Sequence, residues 1–249
     1  MSSEATQRVV SAPPQGSQPL DLPVEIAEWV AHADDNLVLA QRLGEWISWA
    51  PDLEIDIALG NIGLDHLGVA RNLYNYAGEV EGKGRTEDDF AMRRTERDFR
   101  NVLLVEQPNG DFAQTIVRQF FFDVYQIGLW DRLSVSDDDT IAGIAGRAAK
   151  EAAYHLEFSS SWVLRLGDGT DESNRRTQKA VDALWRFTGE INSAAWQNQV
   201  TAMLTEASLV VPEDPYQRVG GRDGYHTEHL GYLLAEMQWM DRAYPGLEW

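Results

Sequence analysis

Long stretches with apolar residues at helical spacing, and no run of strand-like alternation, constrain this 249-residue chain most. From Pro23 the first stretch carries Val30, Leu37, Leu39, Leu43 and Trp46 on to Ala50. Pro51 ends it, because proline has no N–H to give the helix and its ring clashes with the preceding turn. Asp52 is placed to cap a second helix reaching about residue 80, with Ile55, Ile57, Leu59, Ile62, Leu67, Val69, Leu73 and Tyr76 near one periodic face. A loop over 78–85 and a short polar helix over 86–100 follow, then an irregular segment over 101–110. Asp111 caps a third long helix to about residue 133, and the acidic run 136–139 separates it from a fourth over 140–166. Helices are predicted over 171–190, 193–208 and 226–243, with Pro212, Pro215 and the glycine-rich loop 220–224 between the last two. The fold class is all-α. Residues 1–22, rich in Ser, Pro and Gln, read as a disordered leader ahead of one helical domain over 23–249.

Composition removes several function classes. The formal net charge is −19, from 40 acidic against 21 basic residues. That argues against a nucleic-acid backbone or an anionic membrane surface as a partner, since both demand clustered positive charge. There is no cysteine, so disulfides, thiolate metal sites and cysteine nucleophiles are out. Any metal site must rest on carboxylates and on His32, His66, His155, His226 or His229. No segment has the ~18 uninterrupted apolar residues of a membrane span, and the N-terminus lacks a secretory pattern. The expected location is cytoplasmic.

Three acids fall at suggestive places on the long helices. Di-iron bundle proteins take one carboxylate from each of two helices, and an acid followed three residues later by histidine from each of the other two. Here Asp65 is followed at that spacing by Gly68, and Glu151 by Tyr154. Taking the hairpin turns at Pro51 and near Asp137, residues equally distant from each turn should face one another. Asp123 is then opposite Glu151, and Asp65 is opposite Leu37, beside Asn36. The framework of a dinuclear site is present without its histidines. Gly68 cannot coordinate, and Tyr154 is a poor ligand while protonated. His155 and His66 are each displaced by one position, roughly 100° around the helix, and His66 is expected to point away. Asp65, Asp123 and Glu151 are alternatively plain buried acids compensated by Arg71, Arg118, Arg147 or Lys150.

Weaker features read more plainly. His226-Thr227-Glu228-His229 spaces its histidines three apart, against four in zinc-protease helices, and is read as a cap and hydrogen-bonding segment. Loop 220–224 lacks a phosphate-loop pattern. Phe120-Phe121-Phe122 is read as core, and Trp239 with Trp249 equally as core or as an interface between protein chains.

The stretches NLVLAQRLGEW (36–46), LEIDIALGNIGLDHLG (53–68), LLVEQPNGDF (103–112), KEAAYHLEF (150–158), LGDGTD (166–171) and HTEHLGYLLAEM (226–237) resemble the C subunits of phenylacetyl-CoA epoxidase complexes, the multicomponent ring oxygenases of aerobic phenylacetate breakdown. The resemblance covers nearly everything after about residue 34, and LLVEQPNG with HTEHLG is its most specific part. It implies a ferritin-like four-helix bundle with additional peripheral helices, acting as a structural subunit without catalytic residues. It further implies that a paralogous A subunit holds the di-iron centre and the CoA thioester. A small B subunit and a flavin and iron–sulfur reductase complete such a complex, which consumes NADPH and oxygen. This chain is expected to bind no cofactor or metal of its own and to self-dimerise when alone. Asp65, Gly68, Asp123, Glu151, Tyr154 and His155 then mark the remains of a metal site. The competing expectation is an independent di-iron or dimanganese oxidase using Asp65, Asp123, Glu151 and His155.

Overall fold

The computed structural model describes residues 21–213 and 216–245. The leader expected over 1–22 falls almost wholly outside them, as does Trp249. Two helical hairpins form the centre: α1 (Val24–Gly44) with α2 (Leu53–Glu81), and α4 (Phe112–Leu133) with α5 (Asp139–Gly167). Contacts between α2 and α5 join the hairpins into an all-α, ferritin-like bundle. Five shorter helices surround it: α3 (Glu87–Ala91), α6 (Asp171–Trp185), α7 (Ala194–Glu206), α8 (Glu228–Met237) and α9 (Trp239–Ala243). Helices α6 and α7 cover α4 and α5, while α3 and α8 lie against α1. Among the described residues no helix is long and apolar enough to cross a membrane.

Helix α4 shows why the fold closes. It is contacted by α5, α6 and α7, so an apolar stripe on one side would not suffice, and a helix buried all round must be apolar all round. Phe120, Phe121 and Phe122 are all buried accordingly. Phe121 packs edge-to-face against Trp185 of α6 and Trp196 of α7, and its carbonyl accepts the Trp196 indole N–H at 2.7 Å. Asp111 caps α4 as expected, accepting from the Gln114 N–H at 3.0 Å.

The segment between α3 and α4 departs furthest from the sequence pattern. A helix expected over 86–100 stops at Ala91, and Phe99 and Asn101 to Gln107 are buried without regular structure. The Asp98 carboxylate accepts from the Thr95 N–H at 3.0 Å, a local bond that competes with helix propagation. Buried backbone N–H groups must find partners, and acids from distant elements provide them. Asp34 accepts from the Arg100 N–H and Asp35 from the Val102 N–H, both at 2.7 Å, and Glu190 accepts from the Leu103 N–H at 2.8 Å. Serving in this way, Glu190 lies beyond the end of α6, whose sequence pattern predicts a helix to 190. Gly221 allows loop 220–224 to close onto this segment, since a Cβ there would lie 2.1 Å from the Asn101 carbonyl oxygen. The last helix is likewise divided at Gln238, whose amide donates to the Ala91 and Arg94 carbonyls at 3.0 Å each.

Candidate functional site

At mid-depth between the two hairpins the bundle encloses a polar cluster: Asn36 from α1, His66 from α2, Gln119, Asp123 and Gln126 from α4, and His155 and Ser159 from α5, each 2% exposed or less. Asn36 organises one end. Its Oδ1 accepts from His66 Nδ1–H at 2.8 Å and from Gln126 Nε2 at 2.9 Å, while its Nδ2 donates to the His32 carbonyl at 2.8 Å. This bonding leaves His66 Nε2 as the acceptor, approached by Gln119 Nε2 at 3.2 Å. Gln119 Nε2 also donates to Asp123 Oδ1 at 2.7 Å, and the Ser159 hydroxyl donates to Asp123 Oδ2 at 2.7 Å. His155 turns Nε2–H outward to Asp65 Oδ2 at 3.0 Å. Its Nδ1 and the Gln119 Oε1 are buried without a hydrogen-bond partner. The His66 and His155 ring centroids are 5.0 Å apart.

Burial without a nearby cation governs the electrostatics. It pushes the Asp123 carboxyl up to about 7, against the opposing hydrogen bonds from Ser159 and Gln119. Burial, assisted by His155, holds His66 well below the ordinary histidine range. Burial lowers His155 too, partly offset by its bond to Asp65. The interior therefore carries little charge near neutral pH, because ionising a group in a low-dielectric site is unfavourable.

The residues singled out from sequence separate into four positions. Asp123 and His155 lie in the cluster. Asp65 stands at its rim, with a side chain 38% exposed. Gly68 and Glu151 line a groove of about 110 Å³ outside it with Asp65 and Arg147. The Glu151 carboxyl is raised by burial and by the Asp65 charge, with Arg147 opposing. Tyr154 faces outward, 54% exposed. Three expectations are corrected. His66 does not point away but occupies the centre. Of the basic residues expected beside the acids, only Arg147 acts on one, opposing the shift of Glu151 across the groove: Arg71 pairs with Glu87, Arg118 donates to the Gln107 carbonyl and Asn109 Oδ1, and Lys150 is exposed. Asp123 meets Ser159 and His155 instead of Glu151, one to two turns further along α5. Helical side chains lean toward their helix N-terminus. In an antiparallel pair that carries the first arm's side chain away from the turn and the second arm's toward it. The facing residue on the second arm therefore lies further from the turn than symmetry suggests. Asn36 meets His66 without such an offset, as equal counting from Pro51 would have paired them.

A dinuclear iron centre does not fit these residues. The central cluster provides one fully buried carboxylate, Asp123, whereas such a centre takes four. The place of a second is held by Asn36, whose oxygen is already committed to two N–H donors.

Sequence reasoning missed a second set of buried polar groups. Asp34 receives the Arg94 guanidinium and the Tyr74 hydroxyl. Asp35 receives Arg222 at 2.6 Å. Glu106 accepts from His226 Nδ1–H at 2.9 Å and the Thr227 N–H at 2.7 Å. With its Nε2 facing the Phe99 carbonyl at 3.0 Å, His226 has an acceptor on both sides, which calls for the doubly protonated ring. The HTEHLG segment is thus a hydrogen-bonding anchor, as its spacing suggested.

Four long helices around a mid-depth polar cluster define a ferritin-like bundle protein whose centre lacks a dinuclear ligand set. The chain belongs to the family of phenylacetic acid catabolic proteins, whose family model matches residues 21–195 and 193–249. It is 50% identical over 237 residues to the C subunit of the 1,2-phenylacetyl-CoA epoxidase of Escherichia coli (strain K12), an alignment covering 87% of this chain and 95% of that protein.

Proposed function

We propose that this chain is a non-catalytic structural subunit of a multicomponent phenylacetyl-CoA epoxidase, serving phenylacetate catabolism by stabilising a paralogous di-iron catalytic subunit. The observation that carries this reading is the replacement of a dinuclear ligand set by Asn36, Gln119, Gln126 and Ser159, which tie up the bundle centre with hydrogen bonds. A surface feature supports it. Leu53, Ile57 and Leu64 lie along the outer side of α2, all more than half exposed. Their spacing keeps them near one helical face, and apolar exposure of this kind fits a subunit interface. The catalytic partner supplies the iron and the CoA thioester site, and a small subunit and a reductase complete the assembly. In isolation the same face pairs two copies of this chain, and no oxygen chemistry occurs.

Reconstitution tests the proposal. Supplied with ferrous iron, reductant and phenylacetyl-CoA, the isolated chain should consume no oxygen. Co-purification with the iron-bearing paralogue should be stoichiometric, and epoxidation by that paralogue should be weakened without this chain. Oxygen uptake by the isolated chain, lost on replacing Asp123 and Glu151 by Ala, would sink the proposal in favour of an independent oxidase.

A further inference from the structure

We propose that His66, Asp123 and His155 form a binding site for a single divalent transition-metal ion of the zinc class, held at the junction of α2, α4 and α5. The ion is structural, and the proposal goes beyond the subunit role. It also departs from the expectation that the chain binds no metal.

The three side chains are buried and each offers a ligand atom, all within 4.8 Å of one another. Tetrahedral ligands at about 2.0–2.1 Å from zinc lie roughly 3.3 Å apart, so closure needs only a modest inward movement. Two neutral imidazoles and one carboxylate suit Zn²⁺ or Co²⁺ and leave one position open. Both histidines are oriented by partners outside the trio. His66 Nδ1–H is held by Asn36 Oδ1 at 2.8 Å, and His155 Nε2–H by the Asp65 carboxylate at 3.0 Å. Bonds of this kind characterise metal-bound histidines, since they fix the tautomer and free the other nitrogen's lone pair. They leave His66 Nε2 and His155 Nδ1 as the lone-pair atoms.

The centre also has too many acceptors. With Asp123 ionised, His66 Nε2, His155 Nδ1, the Asp123 oxygens and Gln119 Oε1 are served by only the Gln119 amide hydrogens and the Ser159 hydroxyl, a protonated Asp123 adds one O–H, and His155 Nδ1 and Gln119 Oε1 have no hydrogen-bond partner. A water molecule has two hydrogens to give. A cation is attracted to every one of these lone pairs and neutralises the buried carboxylate. Turning over the Gln119 amide would bring Oε1 toward the fourth position.

The test uses the full-length chain, stripped with a chelator, incubated with Zn²⁺ or Co²⁺ and freed of excess metal by gel filtration. Elemental analysis should find about one ion per chain in the wild type and in His229→Gln, a histidine outside the trio. Asp123→Asn and His155→Gln, checked for folding by circular dichroism, should bind at least tenfold more weakly. Asp65→Asn should lose roughly 10- to 100-fold in affinity through His155 alone. The Co²⁺ form should show the visible absorption of a four-coordinate, nitrogen-ligated ion. Less than a tenth of an equivalent on folded wild-type protein overturns the site and leaves a buried water as the occupant. Equal binding by the Asp123→Asn, His155→Gln double variant also overturns it, placing the metal on the acidic surface. Neither result bears on the subunit role, which is read by partner binding and oxygen consumption.

Discussion

Three consecutive residues of α1 lead into two differently built interiors. Asp34 and Asp35 face the irregular segment 92–107 and loop 220–224, where each carboxylate meets an arginine and backbone N–H donors. Asn36, one residue on, faces the bundle centre, where His66, Asp123 and His155 have no arginine or lysine among their hydrogen-bond partners. Both regions are sealed from water. In the first, arginines pair with the carboxylates and the pairs organise loops that carry no regular structure. The second is kept nearly neutral, with burial raising its acid and lowering its histidines. The difference teaches that burial alone does not decide ionisation; the charge of the neighbours does.

The largest expected effect falls on the arginine-paired side. Arg94→Ala leaves Asp34 buried beside only Tyr74 and backbone donors. It should lower stability by roughly 3–5 kcal/mol in urea unfolding, with Arg222→Ala nearer the lower end because its side chain is 29% exposed. A loss below about 1 kcal/mol would mean that water already reaches Asp34.

The neutral side should respond with the opposite sign. Asp123 titrates near 7 when folded and near 4 when unfolded, so between those values the unfolded chain releases a proton that the folded chain keeps. Stability contributed through this group falls as pH rises from about 4 to 7, by up to ~1.4 kcal/mol per pH unit. Asp123→Asn should remove that slope, leaving the variant about as stable as wild type near pH 4 and increasingly more stable as the pH rises to 7. Parallel wild-type and variant curves across this range would show that Asp123 is already ionised, and so compensated.

A smaller change is expected at His226. Burial works to lower its pKa, but the hydrogen bond and charge of Glu106, with the Phe99 carbonyl, outweigh it and raise the value. Its contribution is therefore fully present below the unfolded value of about 6.5 and lost as pH rises through the folded one. His226→Gln should cost about 2 kcal/mol at pH 6 and less at pH 9, measured by denaturant unfolding at both. A cost independent of pH would place His226 among the neutral groups. The smallest effect is expected for Tyr154→Ala, within roughly 0.5 kcal/mol, because that ring faces solvent. A greater loss in the thermal midpoint would mean that Tyr154 is packed rather than outward-facing.

The long helices are legible from their periodicity, their caps only in part. Asp111 caps α4 as expected, whereas Asp52 stands at the start of α2 without a side-chain capping bond, and Asp138, which the pattern did not single out, caps α5 through the Thr140 and Ile141 N–H groups. Asp123 and His155 are recognisable as interior because they lie on apolar helices at matching depth. Pattern alone puts His66 on the wrong face and gives Glu151 the wrong partner, since it carries neither the lean of helical side chains nor the local stagger of two packed arms. The segment 92–107 is the least legible, because its conformation is held by Asp34, Asp35 and Glu190 from elements far along the chain.

The sequence alone carries the all-α class, the two hairpins, the absence of thiolate chemistry and the presence of Gly68 and Tyr154, not histidine, three residues after Asp65 and Glu151. These follow from residue type and from periods of a few residues, which act within one helix. Only the tertiary structure decided which polar residues share the centre, and which acids are neutralised by arginine and which by protonation. Those outcomes depend on side chains 30 to 187 residues apart in the chain meeting at distances near 3 Å, where burial and neighbouring charge, not local propensity, set the energy.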